Sequence, residues 1–308
     1  MTEKHVDQDV VETAQSAPDE TAAANHFPFL AFEDPRELED YKLHRRFDRM
    51  GRLVGDSSMK RLQDAHVMVI GLGGVGSYAA EMIVRSGIGK ISIVDFDLVC
   101  ITNVNRQLHA MKGVIGKPKC DVLATRFADI NPKAEIVPIN KFYNWESSAE
   151  LLDLNPDYVI DAIDSVTAKA HLLNACRERK IKVVSSSGAA GRMDPTRLAI
   201  ADLSETTVDP LARQIRKILR TKYDFPRDAP FDIPTVYSTE PITQPKELLY
   251  DNGQGFRCVC PQGQNEFFTC DDRNVIYGTA GFVTGAFGFT AASVVVRDIS
   301  GTSFWSRD

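Results

Sequence analysis

Cysteine is sparse in this sequence and shows no paired spacing. Six thiols, at positions 100, 120, 176, 258, 260 and 270, are scattered through 308 residues. A chain of this length that is 43% hydrophobic can build its own core and needs no disulfide frame, so reduced thiols are expected. Soft metal ligands are equally scarce. Cys258-Val259-Cys260 and Cys270 are the only late thiols, and no histidine follows His171, which leaves a poor set for a closed tetrahedral zinc site. Neither an Arg-rich amphipathic pattern nor an apolar signal core opens the sequence, so a cytoplasmic setting is expected. Internal repeats are absent. Only one hydrophobic run is long: Val275–Val296, 22 uncharged residues, enough to span a bilayer. Gly278, Gly281, Gly285 and Gly288 recur through it and suit close packing against other backbone, so a buried or interface helix is expected rather than a membrane partner.

Net positive charge is also missing, but the deficit is local. The formal charge is −6; residues 1–40 hold eleven acidic and two basic residues, a net of −9, so the remainder carries −6 − (−9) = +3. The acidic, Ala-rich stretch 1–40 reads as a mobile tail and 41–308 as the folded body, which is mildly basic and compatible with nucleic acid.

What is abundant is alternation. Apolar runs at 66–70, 91–95, 135–139, 158–161 and 181–185 are separated by helical patterns at 75–86, 117–130, 146–153 and 166–179. This predicts an α/β fold: a doubly wound, mostly parallel, Rossmann-like sheet with helices on both faces. A C-terminal part, about 195–308, adds a strand near Leu198–Ala201, a helix opened by Asp209-Pro210 and running to Lys222, and a surface loop over 223–257. A further helix is predicted over Tyr41–Leu53, carrying Arg45, Arg46, Arg49 and Arg52.

The first strand runs into Gly71-Leu72-Gly73-Gly74-Val75-Gly76 and then a helix, the layout of a phosphate-binding turn: glycines admit the phosphate to the backbone and the helix N-terminus offers free N–H groups. Asp95, 24 residues after Gly71, and Asp97 end the second strand, at the spacing of a ribose-binding carboxylate. Asn103 and Arg106 share a helical face, and with Lys119 they supply more positive charge than a dinucleotide pyrophosphate requires; a triphosphate attacked at its α-phosphate suits them. Asp164, at the end of the fourth strand, is a candidate Mg²⁺ ligand. Taken singly, each aspartate also suits a helix cap, and Arg106 and Lys119 suit a solvated surface. On the helix after Asp209, the residues Arg213, Arg216, Lys217 and Arg220 form a stripe that is either a nucleic-acid-binding face or ordinary solvated charge.

The motifs Gly71–Gly76, Asp95-Phe96-Asp97, Asn103-Val104-Asn105-Arg106-Gln107, Gly116-Lys117-Pro118-Lys119 and Asp161-Ala162-Ile163-Asp164 together resemble the ubiquitin-activating superfamily, across about residues 44–298. The resemblance implies adenylation of a carboxylate with ATP and Mg²⁺. It implies a ribose contact from Asp95, phosphate contacts from Asn103, Arg106 and Lys119, and a metal contact from Asp164. It also implies an arginine from the preceding helix, often of the other subunit of a homodimer; Arg49 matches best by position and Arg52 is the alternative. The stretches Gly188–Thr196, Asp202-Leu203, Asp209–Ala212, Val236–Glu240 and Gly278–Gly288 are similar to the branch of tRNA threonylcarbamoyladenosine dehydratases. That branch activates the threonyl carboxylate of the modified base, and ring closure by its own ureido group expels AMP, so no protein nucleophile is implied. Arg273 stands where some members carry a cysteine. A sulfur- or electron-transfer partner protein is left open. The rival readings are an adenylyltransferase acting on a ubiquitin-like sulfur carrier, an NAD-dependent oxidoreductase, and a binding module that keeps the fold without turnover.

Overall fold

Six parallel strands and one antiparallel strand at the edge set the frame of this computed structural model, which describes residues 44–248 and 276–302. The acidic tail and the Cys258, Cys260 and Cys270 thiols lie outside the described residues. The chain divides into two compact units, Met1–Arg46 and Phe47–Asp308, and the second carries everything that follows.

Two short helices, α1 (Asp48–Val54) and α2 (Asp56–Asp64), precede β1 (His66–Ile70). Gly55, at φ 82°, separates the two helices; the helix predicted over 41–53 is present at 44–46 and, after a turn at Phe47, as α1, which ends at this glycine, while residues 41–43 lie outside the described residues. There follow α3 (Gly76–Arg85), β2 (Lys90–Val94), α4 (Lys119–Ile130), β3 (Glu135–Ile139), α5 (Ser148–Leu152), β4 (Tyr158–Asp161), α6 (Val166–Arg179) and β5 (Lys182–Ser186). Then come β6 (Leu198–Asp202), α7 (Pro210–Lys222), β7 (Pro234–Ser238) and α8 (Gly281–Ser300).

The sheet order is β3-β2-β1-β4-β5-β7-β6, with only β6 antiparallel, to β7. The central strand β1 is buried along its whole length, as expected of a parallel strand covered on both faces. The order reverses direction between β1 and β4, whose ends stand in register at Ile70 and Asp161. That is the switch point outside which doubly wound sheets hold ligands.

The C-terminal part departs from the expected loop. Residues 234–238 form β7, fully buried between β5 and β6. Thr235 and Ser238 give it a polar composition, and Pro234 at its first residue is tolerated because no preceding ladder N–H is needed there. The apolar run contributes α8, whose glycines press on the head of α3 and on the turn at 105–106: a Cβ on Gly288 would meet Val75 O at 2.5 Å and one on Gly281 would meet Asn105 O at 2.5 Å. Length and apolarity alone would let α8 cross a membrane, but Val283, Phe287, Ala291 and Val295 are buried and make it a core helix.

Candidate active site

The glycine turn is shaped by what its backbone touches. Gly71 has φ +89°, its N–H donates to Val94 O at 2.9 Å, and a Cβ there would lie 2.7 Å from Ala162 O. A Cβ on Gly76 would lie 1.7 Å from Gly71 O. Any side chain at either position would force the turn away from β4. Gly73 and Gly74 stay partly exposed, so the backbone at the head of α3 is open to a ligand. Ser77 Oγ closes the turn by donating to Gly73 O at 2.7 Å.

Asp95 anchors the neighbouring edge. It is 8% exposed, and its Oδ2 accepts from Leu72 N at 2.6 Å while Oδ1 accepts from Asp97 N at 2.9 Å. Lys119, first residue of α4, donates to Asp97 Oδ2 at 2.7 Å and lies 3.6 Å from Asp95 Oδ1. Burial works against the Lys119 ammonium, but Asp95 and Asp97, with Asp164 further off, outweigh it and hold its pKa above the ordinary lysine value. Burial, with the adjacent Asp97 charge, holds the Asp95 carboxyl above the usual range in spite of Lys119. The two aspartates and the lysine predicted from sequence are thus brought together with the glycine turn.

Asn103 and Arg106 sit on the turn that follows. Asn103 is buried and its Oδ1 accepts from Cys100 N at 3.0 Å, so part of its polarity shapes the chain locally. Arg106 is half-buried, and its Nη1 donates to Thr102 O at 2.8 Å and to Asn105 Oδ1 at 3.1 Å. Asn105 Nδ2 in turn donates to Thr279 O at 2.8 Å, seating this turn against the head of α8. The same stretch continues into Gln107, the last residue of the Asn103–Gln107 motif, and into His109, which sequence reasoning missed. Gln107 Oε1 and both ring nitrogens of His109 are buried without a protein hydrogen-bond partner among the described residues. Burial, with Lys119 nearby, pushes the imidazole down to about 3 and keeps it neutral. A Cβ on Gly73 would lie 3.9 Å from Gln107 Nε2, so the orphaned Gln107 amide adjoins the glycine turn, and buried polar groups of this kind mark a place that water or a ligand completes.

At the end of β4, Asp161 is fully buried. Its Oδ2 accepts from Lys169 Nζ at 2.6 Å and Ser185 Oγ at 2.7 Å, and its Oδ1 from Ile163 N at 3.2 Å. This pins the turn that carries Asp164 out to solvent on the Lys119 side. The Lys169 cation, 2% exposed, had no signal in the sequence that separates it from a surface lysine.

Two groups of predicted residues are not gathered here. Phe47 and Met59, flanking α1, pack at Gly87, the turn leading into the amino end of β2, so within one chain Arg49 and Arg52 stand away from the carboxyl edge. On α7, Arg213 and Lys217 are exposed, whereas Arg216 is tied to Leu203 O and Thr206 Oγ1, and Arg220 lies over the Phe231 ring at 5.1 Å. Half the stripe therefore braces the fold.

Among known proteins, the ThiF family pattern matches residues 47–304. The chain is 41% identical over 261 residues to the tRNA threonylcarbamoyladenosine dehydratase of Haemophilus influenzae, covering 84% of this chain and 94% of that one. The solved structure of E. coli tRNA N6-threonylcarbamoyladenosine dehydratase in complex with ATP has a TM-score of 0.72 and 34% identity, covering 84% of this chain and 95% of that one. Similarity to the molybdopterin-synthase adenylyltransferase of Salmonella typhimurium is 32% identity over 160 residues, 51% of this chain and 63% of that one.

Proposed function

The chain belongs to the ThiF family, and from that premise we propose that it is an ATP-dependent enzyme that cyclises threonylcarbamoyladenosine in tRNA. One observation carries the reading. The glycine turn, Asp95 and Lys119 share one carboxyl edge, in a chain that covers nearly the whole of a relative of that name and resembles one solved with ATP. Asp95 receives the ribose. The α3 N-terminus, Asn103, Arg106 and Lys119 take the phosphates. The threonyl carboxylate attacks the α-phosphorus, pyrophosphate leaves, and an acyl-adenylate forms. The ureido group of the same nucleoside then attacks the acyl carbon, AMP leaves, and its proton passes to solvent. The balance is loss of one water from the nucleoside and conversion of ATP to AMP and pyrophosphate. No protein nucleophile enters either step.

Mg²⁺ fits the residues present. Among the described residues no three His, Cys, Asp or Glu side chains cluster, and Mg²⁺ is commonly held by one or two carboxylates together with phosphate oxygens and water. Asp164, exposed beside Lys119, would supply that carboxylate, and the bound ion would neutralise developing phosphate charge. Since Arg49 and Arg52 stand away from the edge in one chain, a homodimer in which a second copy brings Arg49 (or Arg52) to the site is part of the reading. Ile101, Val104 and, on α8, Phe282 are exposed apolar side chains that such a dimer would cover. A cytoplasmic location is part of the same reading.

The test is mass spectrometry of nucleosides from threonylcarbamoyladenosine-bearing tRNA incubated with the protein and ATP. A product lighter by one water, formed with AMP, is expected. ATP–pyrophosphate exchange driven by a sulfur-carrier protein and not by tRNA would transfer the assignment to the carrier adenylyltransferases, whose similarity spans only half of this chain.

A further inference from the structure

The largest fully buried side chain in the described structure is a cation, Arg192. It follows β5 in the loop Gly188-Ala189-Ala190-Gly191, on the same carboxyl edge as the glycine turn. Its Nη2 donates to Asp209 Oδ2 at 2.8 Å, with both side chains at 0% exposure. Nη1 donates to Gly188 O and to Ala190 O, and Nε donates to Glu240 O at 3.3 Å. The guanidinium therefore stitches the loop to itself, to the end of β7 and to Asp209, whose other oxygen caps α7 through Ala212 N at 2.8 Å. Glu240 returns the tie, its carboxylate accepting from Met193 N at 3.1 Å and Asp194 N at 2.9 Å.

A buried ion pair of this kind is weak as a source of stability, because well-packed apolar residues often do as well. What five directed donors provide is a single geometry for a loop of small residues. Topology says what that geometry serves. The ribose carboxylate stands at β2, the glycine turn at β1 and Asp164 at the end of β4, so the nucleotide extends across the switch point in that direction. The acceptor that meets the α-phosphate must approach from the next strand, β5, where this loop lies. Its outer side offers half-buried Ala189 and Ala190 and the exposed Met193.

We propose that Arg192 is a positioning residue for the carboxylate-bearing nucleoside: paired with Asp209, it holds the Gly188–Gly191 loop as the platform on which that nucleoside is aligned, and it sets the loop relative to the head of the basic helix α7. The inference rests on the adenylating function proposed above. It separates two quantities that a purely structural arginine would move together, ATP affinity and the rate of pyrophosphate release with tRNA present.

The experiment uses the full chain and the variants Arg192→Lys and Asp209→Asn. Lysine keeps a cation for Asp209 but cannot bridge three carbonyls; asparagine keeps a cap for α7 but withdraws the charge. ATP affinity is measured by titration calorimetry and pyrophosphate release in single turnover at saturating modified tRNA. The expected result for Arg192→Lys is ATP affinity within about twofold of the parent with release slowed by about 10–100-fold, the scale of a misaligned reactant. Should that variant not fold, Asp209→Asn carries the same split. Release that tracks ATP affinity or thermal stability, or a folded variant with unchanged release, overturns the proposal. A parent enzyme that binds ATP but never releases pyrophosphate with tRNA would instead overturn the function on which it rests.

Discussion

Lys119 Nζ lies 2.7 Å from Asp97 Oδ2 in a site where the lysine is 4% exposed. The cation assigned to phosphate is thus held in place by carboxylates. A preorganised charge needs little rearrangement when phosphate arrives. Replacing it strands Asp95 in the core. Lys119→Met is expected to cost about 3 kcal/mol in chemical denaturation, the low end for breaking a buried pair because Asp97 is 39% exposed, and to abolish ATP binding in calorimetry. The pH sign follows from the raised lysine pKa. The stabilisation is fully present below the ordinary value of 10.5 and is lost as pH rises through the higher folded value. The gap in stability between parent and variant should hold constant from about pH 7 to 9 and close only in strong alkali. A gap that closes near neutrality would show that the lysine is not held charged by these partners.

Arg106 is half-buried and donates within its own turn, to Thr102 O and Asn105 Oδ1. Arg106→Ala should leave thermal stability within about 1 kcal/mol of the parent, since these are half-exposed contacts. Turnover should drop by about 10²-fold or more, as for loss of one group aimed at developing charge. Near-normal AMP release by the variant would remove Arg106 from the site.

Asp164 is exposed, while Asp161, three residues earlier, is fully buried against Lys169 and Ser185. The two aspartates should therefore fail differently. Asp164→Asn is expected to weaken the Mg²⁺ dependence of ATP binding and of turnover with the melting temperature unchanged. Asp161→Asn should lower the melting temperature, because Lys169 would be left buried without its counter-charge. Thermal shift with and without Mg²⁺ and ATP separates the two. Loss of stability alone on changing Asp164 would make it a structural residue.

Much of this arrangement was legible in the sequence because it follows period and spacing. Strands β1, β3 and β4 and helices α6 and α7 fall where apolar runs and the Asp209-Pro210 cap put them. The glycine turn, Asp95, Asp97, Lys119 and Asp164 converge because a parallel sheet delivers successive strand ends to one edge. What escaped was burial without an apolar signature. β7 is a strand of hydroxyl-bearing residues hidden in a Pro- and Asp-rich stretch. Lys169 and Arg192 are polar letters whose interior role depends on partners 8 and 17 residues away, Asp161 and Asp209, and His109 is buried with neither ring nitrogen paired among the described residues. No local pattern encodes such partnerships. The α7 stripe shows the opposite error, since helical spacing correctly put four cations on one helix but could not tell solvent-facing ones from those bonded to the fold.

The three described thiols, Cys100, Cys120 and Cys176, are all buried. Cys120 and Cys176 are fully buried, and burial pushes both up to about 12. Only a thiolate attacks an alkylating reagent or an adenylate, so neither should react at neutral pH in the folded protein. Iodoacetamide footprinting is expected to leave both unmodified until denaturant is added. Joint replacement of Cys258, Cys260 and Cys270, which lie outside the described residues, should leave substantial cyclisation, because the acyl-adenylate is attacked from within its own substrate. Abolished ring closure in a folded triple variant would revive a thioester or metal role.

The basic helix makes the sharpest demand on the tRNA assignment. Arg213 and Lys217 are exposed and four residues apart, so they share one face of α7, and Asp209 ties the head of that helix to Arg192 on the site's edge. Arg216 is committed to Leu203 O and Thr206 Oγ1. If α7 tracks the phosphates flanking the modified base, the exposed pair should carry the effect and Arg216 should not. Contacts to phosphate release counterions and read no sequence. Replacing Arg213 and Lys217 together by glutamine should weaken binding of different cognate tRNAs alike, and should flatten the log–log salt dependence by roughly one unit per lost contact. Arg216→Gln should instead lower thermal stability and leave the slope almost unchanged. ATP affinity should be the same in all three proteins. The measurement is a salt titration of tRNA affinity for the parent and both variants. Parallel lines for parent and double variant would mean that α7 never meets phosphate; the search for the tRNA surface would then pass to the arginine run at 45–52, part of which a second copy of the chain is proposed to bring to the site.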